Sequence, residues 1–95
     1  MNLPNSVMIL GHRFRVMEED PGLWSGDGMG RACLFDSSIR IRVDLPDDVK
    51  LSTFFHEIAH VVFDLLDIET DEGGVSAAAI AAFAGYKAMQ GDEHV

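Results

Sequence analysis

Five consecutive residues, His56-Glu57-Ile58-Ala59-His60, gather the side chains that a hydrolytic metal site needs. Histidines four apart on a helix lie one turn above the other on the same face, so both imidazoles can offer a nitrogen to one cation. Glu57, next to His56, projects close enough to reach a water on that cation without being a ligand itself. Together these are the parts of metal-assisted hydrolysis, in which the cation activates water and polarises a carbonyl while a carboxylate takes the proton. The competing reading is a solvated His pair on an acidic helix, with Glu57 and Asp64 as local partners. That reading accounts for the histidines but predicts neither a base beside them nor a further ligand.

Catalytic zinc sites use three protein ligands and leave a position for water. Downstream of His60 the candidate third ligands are Asp64, Asp67, Glu69, Asp71, Glu72 and His94. Asp64 is one turn beyond His60, but three ligands from one straight helix make poor tetrahedral geometry. Glu72 opens the next helical segment, which must fold back along the first, so its carboxylate can reach the same ion. It is the preferred third ligand, with Asp71 and Asp64 as alternatives. Acids in a first helical turn also offset the helix dipole with no metal involved.

The elements that position these residues are legible in the hydrophobic pattern. Phe14 and Val16 alternate with Arg13, Arg15 and Met17, and Ile39, Ile41 and Val43 alternate with Arg40, Arg42 and Asp44. Such period-two alternation marks half-buried strands. Gly30–Phe35 is a third candidate, joined to Ile39 through Asp36-Ser37-Ser38. Pro21-Gly22 and Ser25-Gly26-Asp27-Gly28 are loop chemistry, with Trp24 as a lid over the small core. Pro46-Asp47-Asp48 starts a helix, with Asp47 or Asp48 as N-cap, and Leu51, Phe54, Phe55, Ile58, Val62, Leu65 and Leu66 supply its apolar stripe. A second helix, rich in small residues, runs to Gln90 with Gly91 as its terminator. The expected fold is therefore a single α+β domain over residues 1–95: a small antiparallel sheet of about three strands (7–43), then a helical hairpin (48–67 and 71–90).

With 95 residues the chain has room for one core, and its single cysteine, Cys33, rules out an internal disulfide. A metal is the available staple. No apolar run approaches the roughly 18–20 residues that span a bilayer, and the first residues lack the pattern of a secretory signal, which points to the cytoplasm. The net charge of −9 is wholly in the second half, where Lys50 and Lys87 face eleven acids; residues 1–43 carry five arginines and five acids. A phosphate-backbone binder needs clustered basic residues, so nucleic acid is not an expected partner. A histidine-based nuclease also wants a third His soon after the pair, and Val61–Glu69 offers none.

The run Leu51–His60, then Leu65-Leu66-Asp67-Ile68, then Glu72-Gly73-Gly74-Val75, resembles the minimal gluzincin-like HExxH zinc metallopeptidases of phage and bacterial genomes. The chain is more distantly similar to ImmA/IrrE-type peptidases, although Val75 and Ala79 are not followed by the Asn common in that group. The resemblance implies a zincin-like minimal domain. It would hold one zinc ion, or another divalent metal, on His56, His60 and Glu72, with Glu57 as general base and a peptide or protein as substrate. A developing oxyanion calls for a donor, for which Tyr86, His12 or one of Arg13, Arg40 and Arg42 is available. An extended substrate would use a sheet edge, with the Ile39–Val43 strand and its Arg40 and Arg42 as the candidate. So small a chain has no second lobe to wall a cleft, which a homo-oligomer or a partner would supply. The alternative function is a metal-stapled, catalytically inactive interaction module.

Overall fold

The structure, a computed structural model, describes residues 3–20, 22 and 28–92. Trp24 and His94 fall outside them. Four strands are followed by two helices: β1 (Ser6–Ile9), β2 (His12–Glu19), β3 (Gly30–Cys33), β4 (Ser38–Arg42), α1 (Asp47–Leu65) and α2 (Glu72–Asp92). The α+β class and the helical hairpin are as the sequence predicts. The sheet differs in two respects: it has a fourth strand, and it is mixed rather than antiparallel.

The additional strand is β1, whose Ser-Val-Met-Ile carries no polar–apolar alternation. It pairs with β2 through a two-residue turn in which Leu10 and Gly11 both take positive φ (50° and 84°). That turn matches the twist of the flanking strands. From β2 the chain crosses to the far edge of the sheet, runs back as β3, and returns between them as β4. The strand order is thus β1-β2-β4-β3, with β2 and β4 parallel in the register Val16 to Ile39 and β3 and β4 antiparallel. Alternation reports which face of a strand is buried and carries no information about its neighbour's direction.

One face of the sheet carries the core. Phe14, Val16, Ile39 and Ile41 meet Leu51, Phe54 and Val61 of α1. Lys50, in the first turn of α1, is itself buried and donates to Glu18 Oε1 of β2 at 2.6 Å, which ties the helix start to the sheet. The residue preceding α1 is Pro46, which makes no side-chain cap. Asp47 and Asp48 lie inside the first turn instead, where they complement the dipole. Helix α2 continues through Gly91 rather than stopping before it.

Candidate metal centre

Helix α1 is packed on two sides. Its sheet side buries Leu51, Phe54 and Val61, and its other side forms a seam in which Phe55, Ala59 and Phe63 meet Val75, Ala78 and Ala79 of α2. His56 and His60 fall between these two contact faces, with side chains 27% and 34% exposed, so they open onto the cleft between sheet and hairpin.

The turn between the helices brings Glu72 to them. Helix α1 ends in a Schellman arrangement: Ile68 N–H donates to the Phe63 carbonyl at 2.9 Å and Asp67 N–H to the Asp64 carbonyl at 3.1 Å, with Asp67 at φ 56°. Asp71 then caps α2 by accepting from Gly74 N–H at 2.8 Å. The cap occupies the Asp71 carboxylate and turns Glu72, the first helical residue, back over α1. Glu72 Oε1 lies 2.7 Å from His56 Nε2 and 3.0 Å from His60 Nε2, and the imidazoles stand edge to face with centroids 4.9 Å apart.

The donor set fits a divalent cation. Three ligand atoms, one from each residue, lie within 4.8 Å of one another. Ligands about 2.0–2.1 Å from a tetrahedral zinc are separated by about 3.3 Å, a few tenths of an ångström more than the 2.7 and 3.0 Å gaps between Glu72 and the two histidines. Imidazole and carboxylate suit several divalent ions, so the donors alone do not choose among them.

Glu57 lies beside the triad and is 7% exposed. Burial pushes its carboxyl above the ordinary range, against the pull of the neighbouring His60 and His56, and Glu72 pushes it the same way as burial. Glu72 is shifted oppositely, because its hydrogen bond with His56, supported by that with His60, holds the carboxyl low. Two adjacent carboxyls are thus driven apart, one toward permanent charge and one toward exchangeable protons.

Room for Glu57 comes from Gly30, the first residue of β3. A β-carbon there would come within 2.7 Å of Thr53 Cγ2, 3.0 Å of Ile41 Cδ1 and 3.2 Å of Glu57 Cγ. Glycine lets the strand lie directly over the helix. Arg42 N–H donates to the Met29 carbonyl at 3.1 Å, and the register continues Gly30 to Ile41, Arg31 to Arg40 and Ala32 to Ile39. By antiparallel alternation, the N–H and C=O of Gly30 and Ala32 point away from β4 along the outer edge of the sheet. That edge borders a cleft of about 730 Å³ whose floor holds His56, Glu57 and His60.

The other candidates are placed differently. Asp64 lines the cleft but is outside the three-residue cluster, and Asp71 is the helix cap. Tyr86 packs its ring on Phe55, with centroids 5.7 Å apart, and does not line the cleft. His12 lies at the β1–β2 turn, across the sheet from β3, and Arg13 follows it. Arg40 and Arg42 belong to β4, an inner strand, which removes them as a substrate edge. Their guanidiniums face this chain's own acids, Arg40 at 3.4 Å from Glu19 and 3.3 Å from Asp36, and Arg42 on both oxygens of Asp44 at 3.1 and 2.8 Å. The edge that borders the site is β3. Its signal in the sequence is an isolated glycine at a strand, which often marks close backbone approach.

No protein family, curated protein or solved structure matches the chain. No described helix is long and apolar enough to cross a membrane.

Proposed function

We propose that the protein is a zinc-dependent peptide hydrolase. The observation that carries this reading is the convergence of His56 Nε2, His60 Nε2 and Glu72 Oε1 beside a buried Glu57. Zinc bound by these three residues supplies a Lewis acid and a water activated near neutral pH. Glu57 is the general base: its carboxylate takes the proton of the attacking water and passes it to the leaving amine. The outward N–H and C=O groups of Gly30 and Ala32 hold the substrate main chain as an added strand, which orients the scissile bond over the triad. The resemblance to minimal HExxH metallopeptidases supports the same assignment. A single cysteine with no disulfide partner suits a reducing compartment, and we place the activity in the cytoplasm.

The alternative, a metal-stapled module without turnover, is separated by Glu57→Gln. On a set of quenched-fluorescent peptides, the zinc-loaded variant should keep its metal and lose about 10²–10⁴ in kcat/KM. Equal rates in wild type and variant, or no cleavage by either, would contradict the hydrolase.

A further inference from the structure

Three of the large apolar side chains left in solvent stand around one cleft: Met29 at 48% exposed, Leu34 at 43% and Ile80 at 69%. Met29 and Leu34 flank β3 at its two ends. Ile80 projects from α2 on the opposite wall, next to Ala79 and the half-buried Phe83. Scattered single exposed apolar residues are ordinary on a protein surface, whereas several at the rim of one concavity mark a binding surface. Between the two walls run the outward backbone groups of Gly30 and Ala32, and below them lie the triad and Glu57.

These features identify the occupant. A sheet edge with unpaired N–H and C=O groups pairs with extended polypeptide and offers little to a helix or a compact small molecule. Successive side chains of an added strand point alternately to the two sides of the sheet. Those on the side of α1 and α2 descend between Leu34 and Ile80. The α2 wall beside Ile80 is made of Ala79, Ile80 and Phe83, all apolar, so a Lys, Asp or Glu laid against it would lose hydration with no partner on that wall. A leucine- or phenylalanine-sized group would bury apolar area against Ile80, Ala79 and Phe83.

We infer that the cleft selects extended peptide segments carrying a bulky apolar side chain beside the reacting bond, and that Ile80 determines this preference. The inference rests on the zinc-site reading above and adds the substrate class to it.

The test needs no knowledge of the natural substrate. Zinc-loaded full-length protein is titrated calorimetrically with acetohydroxamate, which reports only access to the metal. Dipeptide hydroxamates that differ solely in one side chain, leucine, serine or aspartate, are titrated in parallel. The leucine compound should bind at least tenfold tighter than the aspartate compound. In Ile80→Ser, a change at a solvent-exposed position, that ratio should fall below threefold with acetohydroxamate affinity unchanged. Leu34→Ser should lower it to a lesser degree. Equal affinities for the three dipeptides, or a ratio untouched by Ile80→Ser, would overturn the inference and leave the metal site standing. Concentration-dependent dimerisation that Ile80→Ser abolishes, with no side-chain preference, would assign the rim to a second copy of the chain instead. Failure to bind zinc at all would remove both the site and the substrate class.

Discussion

At the scale of single residues, the site depends on a contrast between two glutamates. Glu72 is exposed and held ionised by two imidazoles, whereas Glu57 is buried and resists ionisation. The sign of the consequence follows directly. A carboxyl whose proton affinity is higher in the folded than in the unfolded state contributes stability at low pH that is lost as pH rises from the ordinary carboxylate range through its raised folded value. Metal-free wild type should therefore lose stability relative to Glu57→Gln over that window, with the gap fully open at neutral pH. Urea melts of both proteins at pH 4 and pH 7.5 measure it, and parallel curves would contradict the burial of an ionisable Glu57. Gly30 is the second residue with a sharp expectation. The methyl of Gly30→Ala meets Thr53 and Glu57 at sub-contact distances, and overpacking of this kind costs about 1–3 kcal/mol, readable as a shift in the denaturation midpoint. The proposed ligands and base were legible in the sequence because HExxH sets them at helical spacing. Glu72 was legible because its helix had to fold back. The role of Gly30 was not, since it depends on the distance between a strand and a helix that only tertiary packing sets.

At the scale of elements, the hairpin turn decides where Glu72 points. Asp67 occupies the left-handed position of the Schellman turn that glycine usually fills, at a steric cost that Asp bears better than most side chains. Asp67→Gly should raise stability by about 0.5–1 kcal/mol with zinc affinity unchanged. A loss of stability in the urea midpoint would show that the Asp67 side chain holds the turn. The start of α1 is tied to the sheet by the pair between Lys50 and Glu18, so Glu18→Gln leaves a buried ammonium with a weaker partner and should cost about 1–3 kcal/mol. Both helices were legible from their apolar spacing. Strand direction and order were not, because alternation is the same for parallel and antiparallel neighbours. For that reason the β4 strand, with its conspicuous arginines, reads in the sequence as an edge and in the fold is an inner strand. The short β3, read from the sequence as a strand within Gly30–Phe35 but not as an edge, is the edge that borders the cleft.

At the scale of the whole molecule, a short chain folds around a modest core with a weakly buried second helix. Within α2 only Val75 and Ala79 are fully buried among the described side chains. A cation held as proposed, bridging α1 and Glu72 of α2, would add a cross-link where apolar burial is thin. The charge asymmetry visible in the sequence fits this division, with the acidic half carrying the proposed ligand and base and the helix-start acids, and the Arg-bearing half forming the sheet. Zinc free at a hundred times its dissociation constant stabilises the folded form by about 2.7 kcal/mol. For a domain of this size that corresponds to a rise in Tm of roughly 10–20 °C over the chelated protein. The central claim is that His56, His60 and Glu72 hold one ion. Its most direct test is the zinc content per chain of purified protein after zinc loading and desalting, measured by elemental analysis for wild type and for His56→Ala, His60→Ala and Glu72→Ala. The proposal predicts one zinc per wild-type chain and a loss to well below stoichiometry in each variant. Zinc-free wild type, or variants that retain a full equivalent, would contradict it.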